Sequence, residues 1–323
     1  MSQTSEESRE ESEHFVDFDF MDTGYGKNHI KLLRIKREGA VHHVKEFQVD
    51  TQLTLCSKKD YLFGDNSDIV ATDSQKNIVY ILAKIHGLKS PEDFGLLLCS
   101  HFLSKYPRVT KVKISIEEHP WQRMVTDGVP HNHAFISTPT AIRFACVTCE
   151  RGAMPDIESG MKNLRVMKTT QSAFEHFIHD EFATLPDCPE RIFSTVIYSK
   201  WKYGMTAGLD YDYAWNTVKD SVLYAFAGSP DTGIFSPSVQ NTLYLAQKEV
   251  LEKIPQMSWI EVQLPNKHYT PVDFSQFKYF GVKPSGSENE VFLPSDYPAG
   301  NIRAVLGRKS LLSPDMLMLQ SKL

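Results

Sequence analysis

The sequence predicts an α+β protein made of two copies of one unit, each an antiparallel β-sheet with paired helices on one face. Three observations lead there. Segments with a two-residue apolar period alternate with segments of helical period, so both element types are present. The order strand, strand, helix, helix, strand occurs twice. The second helix of each series starts at a Ser-Pro pair, Ser90-Pro91 and then Ser236-Pro237, 146 residues further on.

Taken in order, residues 1–20 carry seven acids and one base and predict a disordered acidic arm. Ile30–Arg37 and Val44–Leu55 are strands about a Glu38-Gly39 turn, the second alternating Phe47, Val49, Leu53 and Leu55. Thr72-Asp73-Ser74 opens a helix, with Thr72 or Asp73 as N-cap and Ile78, Ile81, Leu82 and Ile85 as its apolar stripe. The next helix has Ser90 as cap, Pro91 at its first position and Glu92 and Asp93 in the first turn, and ends near Tyr106-Pro107. A strand alternating Val112, Ile114 and Ile116 stops at His119-Pro120, and Ile142–Glu150 is a further strand. In the later half, extended segments near 163–169 and 192–202 precede a helix from Tyr211 to Phe226. A Ser236-Pro237-capped helix then runs to Ile254-Pro255, and a strand alternating Ile260, Val262 and Leu264 stops at Pro265-Asn266-Lys267-His268. The division is an arm at 1–20, units at 21–155 and 156–310, and a tail at 311–323.

Composition excludes several classes. The 323 residues hold 35 Lys+Arg and 40 Asp+Glu, for a net charge of −5. The arm alone accounts for −6, so the body is close to neutral, unlike a nucleic-acid binder with its basic face. No run approaches the roughly 18 apolar residues of a membrane span, and the acidic start is the opposite of a signal or transit peptide. Five cysteines predict free thiols rather than a disulfide framework. Cys146 and Cys149 lie on one strand and point to opposite faces, which argues against a redox or zinc pair.

Phosphate loops and zinc arrays are lacking. His131 and His133 share one strand face, a two-ligand geometry without an evident third ligand. His176 and His179 are expected on a solvated helix, because the aromatics at 174, 177 and 182 suit an amphipathic helix. His119 and His268 end equivalent strands, where a duplicated fold places functional groups.

One spaced set goes beyond packing: Leu164-Arg-Val-Met-Lys-Thr-Thr-Gln-Ser-Ala-Phe174, continuing through Phe177, Phe182, Leu185 and Arg191. It resembles the signature of urate oxidases. Tyr25-Gly26-Lys27, Asp68–Ser74, the run Trp121–Phe135, Ser238-Val239-Gln240 and Leu264–Tyr269 resemble that family too, in the same order. The similarity spans roughly residues 24–310.

The resemblance implies two tandem T-fold domains that assemble as a homotetramer into a tunnel-shaped barrel, with each site where two subunits meet. It implies oxidation of urate by dioxygen and water to 5-hydroxyisourate and hydrogen peroxide, without metal or organic cofactor. By resemblance, Arg191 and Gln240 clamp opposite edges of urate, Phe174 stacks on its ring, and Val239 and Asp73 offer backbone contacts. Lys27 and Thr72 of a neighbouring subunit form a proton relay with His268, and Asn266 holds dioxygen or water above the ring.

These residue types suit the task. Urate is a flat anion with alternating donors and acceptors, which a guanidinium fork and a Gln amide read two-pronged. An aromatic face holds the ring at low entropic cost. Dioxygen reacts sluggishly with closed-shell molecules, so urate must lose a further proton to become electron-rich. A Thr hydroxyl is too weak a base alone, which leaves a lysine acting through it, or the histidine, as the base.

Two alternatives stay open: a metal-dependent T-fold enzyme acting on a pterin or guanine nucleotide, and a non-catalytic uricase relic. The final Ser321-Lys322-Leu323 matches a peroxisomal address and implies an import receptor as partner, with 311–319 as its linker.

Overall fold

The computed structural model describes residues 18–138, 140–281 and 290–309. The acidic arm up to residue 17, the 311–319 linker and Ser321-Lys322-Leu323 lie outside the described residues. The first half runs β1 (Tyr25–Glu38), β2 (Val41–Leu55), a short α1 (Lys59–Phe63), α2 (Thr72–His86), α3 (Pro91–Lys105), β3 (Val109–Glu118), β4 (Trp121–Thr126), β5 (Val129–Ser137) and β6 (Ile142–Glu150). The second runs β7 (Asp156–Lys168), β8 (Phe193–Tyr203), α4 (Tyr211–Ala227), α5 (Val239–Lys253), β9 (Met257–Pro271), a 3-10 helix (Ser275–Phe280), β10 (Phe292–Ser295) and β11 (Asn301–Gly307). No helix among the described residues is long and apolar enough to cross a membrane.

Nine strands form one sheet in the order β1-β2-β3-β6-β7-β8-β9-β10, with β11 also on β9, while β4 and β5 make a separate hairpin. Every pairing is antiparallel. The sheet is open within one chain, so a tunnel-shaped barrel is not a property of the single subunit. Alternation sorts its faces. Phe47, Val49, Leu53, Ile114, Ile197 and Trp201 are buried in one core with Leu98, Phe102, Val218 and Leu243 of the helices. On the alternate positions Lys162 pairs with Glu117 at 2.5 Å and Lys200 with Glu158 at 3.3 Å.

The two halves share a backbone irregularity as well as an element order. In β1 the register shifts between Lys27 and Ile30, with His29 left-handed at φ 58°. In β7 it shifts between Met161 and Leu164, with Asn163 at φ 63°. Each is a β-bulge, one extra residue that bends its strand and re-aims the side chains beside it. Lys27 stands beside the bulge in the edge strand. Met161 stands beside it in the interior strand and is fully buried.

A buried ion network ties the halves together. Arg143 of β6 donates to Glu92 of α3 at 2.7 Å and to Asp212 of α4 at 2.5 Å, and Ser159 of β7 donates to the other Glu92 oxygen at 2.5 Å. Glu92 has no exposed surface. Burial raises its carboxyl above the usual range, against the opposing pull of Arg143.

Several expectations are corrected. Ser90 caps α3 as predicted, accepting from Asp93 N at 3.0 Å. The N-cap of α2, however, is Ala71, and Thr72 and Asp73 are its first two helical residues. The cap of α5 is Ser238, not Ser236, because Ser236 is already engaged in a β-bridge to Ser172. The buried stripe of α2 is Gln75, Val79, Leu82 and Ala83, whereas Ile81 and Ile85 are 54% and 66% exposed. Leu33 and Ile35 of β1 are exposed too, so this edge of the molecule is apolar. β9 does not stop at Pro265: it continues to Pro271, because β10 and β11 pair with it, and His268 lies within it opposite Ser295. Residues 169–192 contain no helix; left-handed Gln171 and His176 break any helical run.

Candidate functional site

The irregular 169–192 segment assembles the best-defined constellation. Its residues 171–174 lie between two other stretches of backbone. On one side Phe174 exchanges hydrogen bonds with Cys188 (2.8 and 2.9 Å), and Arg191 N donates to Ser172 O at 2.8 Å. On the other, Ser236 N donates to Gln171 O at 2.9 Å and Ala173 N donates to Ser236 O at 3.0 Å. Three segments distant in sequence are thereby zipped together, and α5 starts just past Ser236. This unites four predicted residues: Phe174, Arg191, Val239 and Gln240.

The Arg191 guanidinium carbon lies 5.2 Å from the Phe174 ring centre. Phe177 stacks on Phe174 at 4.6 Å with planes 11° apart, so one face of the Phe174 ring is already covered. Arg191 is half-buried, and its Nε is buried without a hydrogen-bond partner among the described residues. Desolvation holds the guanidinium below its ordinary value, and the contacts described include no carboxylate partner for it. A cation left in that state is suited to an anionic ligand.

Val239 and Gln240 open α5, where first-turn amides lack intrahelical acceptors. Ser238 caps only Asn241 N, at 3.1 Å. The Gln240 side chain is exposed. Asn266 of β9 lies in register with Thr195, four residues after Arg191, and its backbone N–H donates to Gly300 O at 2.8 Å. His268 is exposed two residues on along the same strand.

Lys27, Thr72 and Asp73 form a second group. A Cβ on Gly26 would fall 1.6 Å from Thr51 O, so only glycine permits the close approach of β1 to β2 just before Lys27. Lys27 N donates to Thr51 Oγ1 at 3.1 Å, and Thr51 donates to Gln75 Oε1 at 2.7 Å, which couples β1 to α2. The Asp73 carboxylate is taken by Lys76 at 2.6 Å and Asn77 at 3.0 Å, and its backbone amide belongs to the first turn of α2, where intrahelical acceptors are lacking. Hydrogen bonding to Lys76 holds that carboxyl below the usual range, with the Lys27 charge adding a smaller pull.

The chain does not bring the two groups together. Five strand spacings separate β1 from β8, about 24 Å along the sheet at ~4.8 Å each. A single chain therefore keeps them as two separate groups.

His131 and His119 are engaged in structural hydrogen bonds. His131 Nδ1 accepts from His133 N (3.2 Å) and Ala134 N (3.0 Å), which removes it as a ligand atom on that side. His119 bonds Ser137 Oγ at 3.1 Å. No group of three or more His, Cys, Asp or Glu among the described residues could hold a metal ion. All five cysteines are free; Cys149 is buried and Cys146 lies on the alternate face, as strand spacing predicts. Sequence reasoning missed Ser172 and Ser236 as the bridge of the clamp, and Lys168 beside them. Their signal was present in the Lys168–Phe174 run, but only the tertiary bridge gives it meaning.

Fold and constellation together define a class: a tandemly repeated α+β sheet protein that gathers a guanidinium, an aromatic ring and a helix N-terminus in one place. The uricase family model matches residues 23–148 and 157–303. A uricase from Drosophila virilis is 48% identical over 318 residues, covering 92% of each chain. One from Danio rerio is 47% identical over 291 residues, covering 90% of this chain and 95% of its own. The crystal structure of uricase from Arthrobacter globiformis superposes with a TM-score of 0.82 at 31% identity, covering 94% of this chain and all of that one. The chain belongs to the uricase family. Its two halves are accordingly T-fold units.

Proposed function

We propose that this protein oxidises urate with dioxygen and water to 5-hydroxyisourate and hydrogen peroxide. The observation that carries this is the half-buried Arg191 guanidinium beside Phe174, without an anionic partner among the described residues, on backbone bridged to the stretch that leads into α5. Urate supplies what such a clamp lacks: a planar face for Phe174, an anionic O/N edge for Arg191, and an amide-like edge for Gln240. The first-turn amides at Val239 and, from the second half-site, Asp73 would meet carbonyl oxygens.

The separation of the half-sites favours a site at a subunit junction in a homotetramer, with Lys27 and Thr72 of one chain facing Arg191 of another. The exposed apolar edge formed by Leu33, Ile35, Ile81 and Ile85 supports such an assembly. Lys27 then takes a proton from urate through the Thr72 hydroxyl and leaves an electron-rich dianion. Asn266 holds dioxygen above that ring. Two electrons pass from urate to dioxygen, water adds to the ring, and His268 returns protons to the departing peroxide. The balance closes without a cofactor: urate, O2 and H2O give 5-hydroxyisourate and H2O2. Ser321-Lys322-Leu323 supports a peroxisomal location.

The test follows loss of urate absorbance and dioxygen uptake in metal-free buffer. Equimolar consumption is expected, and no uptake would sink the proposal. Lys27→Met is expected to lower kcat by about 10²- to 10⁴-fold, the usual contribution of a positioned base, with KM little changed. Retention of most of kcat would assign the base elsewhere.

A further inference from the structure

We propose that Lys168 is a positioning residue of the urate clamp: its ammonium ties the segment entering α5 to the strand end that leads to Phe174 and Arg191, and so fixes the span between Arg191 and Gln240. This rests on the function proposed above.

Lys168 is the last residue of β7 and pairs in register with Phe193, two residues after Arg191. Its side chain lies 5.9 Å from the Phe193 ring centre and 5.5 Å from that of Phe226. Beyond them it donates to Ile234 O at 2.8 Å and to Ser236 Oγ at 2.7 Å. Ser236 is the residue whose backbone is zipped to Gln171 and Ala173. Its hydroxyl also accepts from Thr242 of α5 at 2.6 Å. A single ammonium thus reaches, through one serine, both the loop carrying Phe174 and the helix carrying Gln240.

Packing alone does not account for a lysine here. The site is walled by two phenylalanines and half-buried, and an aliphatic side chain of similar length would fill it without desolvation cost. No carboxylate pairs with Lys168 in the contacts described. Desolvation accordingly lowers it to about 8. A charge kept at that cost provides directed donors to two specific oxygens, which a methionine cannot supply.

The clamp must read two opposite edges of one rigid bicycle, so its span matters at the ångström level; a shift of about 1 Å costs up to 10²-fold. Lys168→Met is therefore expected to raise the KM for urate at least about tenfold in the full-length enzyme, with kcat changed far less. Lys168→Arg, which keeps the charge and the donors, is expected to recover most of that loss. A double-mutant cycle separates positioning from general support. In a Gln240→Ala background, Lys168→Met should change KM less than about threefold, because the edge it positions is already gone. Wild-type KM in Lys168→Met, or the full tenfold effect persisting beside Gln240→Ala, would overturn the proposal. Should Lys168→Met not fold, Ser236→Ala removes the shared acceptor and must show the same dependence on Gln240. Failure of the wild-type chain to take up dioxygen with urate would instead refute the underlying function, so the two failures are distinct.

Discussion

Arg191→Lys is expected to raise the KM for urate about 10- to 100-fold, the largest effect on binding among single conservative changes in the clamp. The number follows from the loss of one charge-assisted, two-pronged contact, about 1.5–3 kcal/mol. Lysine would retain the charge but offers a point cation on a flexible stem. Neither the fork geometry nor the stacking edge beside Phe174, now 5.2 Å from the guanidinium carbon, would survive. The folded protein loses little by the change, because the Arg191 side chain makes no hydrogen bond or ion pair among the described residues. Steady-state kinetics and thermal unfolding should therefore diverge, with KM moving and Tm nearly constant. An unchanged KM would remove Arg191 from the clamp.

Arg143→Met should do the reverse. It leaves Glu92, fully buried, with only Ser159 to satisfy its carboxylate. Removing one partner of a buried pair costs about 3–5 kcal/mol, which corresponds to roughly 4–7 °C in Tm for a chain of this size. The effect carries a pH signature. Burial already holds the Glu92 carboxyl above its unfolded value, and loss of Arg143 raises it further. A group raised in the folded state favours folding below its unfolded pKa, and that advantage is lost as pH rises through the folded one. The deficit of Arg143→Met should accordingly shrink as the pH falls from neutral toward the carboxylate range. Adding Glu92→Gln should recover part of the loss at neutral pH, and a deficit independent of both pH and Glu92 would contradict this account. KM should stay near the wild-type value, since the network lies away from Arg191 and Phe174.

Much of the architecture was legible because alternation and capping are local. Phe47, Val49, Leu53 and the Ser90-Pro91 cap announced β2 and α3 directly. Ile81 and Ile85 misled, because α2 carries apolar residues beyond the face it buries, and periodicity alone does not say which neighbour each face meets. The 169–192 segment misled for a complementary reason. Its aromatics at 174 and 177 have helical spacing, yet the segment spends its backbone hydrogen bonds on a bridge between its own two ends, Phe174 to Cys188 and Arg191 to Ser172, and on Ser236 rather than on helical turns. Ser236 lost its predicted capping role to Ser238 through that same bridge. The candidate site was named from motif resemblance, and the separation of its residues into two groups follows from strand order, a non-local property no spacing encodes.

The paired bulges of β1 and β7 put one kink to two uses. At the rim of the sheet it leaves Lys27 beside an unpaired edge, within reach of solvent. In the interior it leaves Met161 sealed in the core. The depth of the strand, rather than the kink itself, decides whether the residue beside it is free for chemistry.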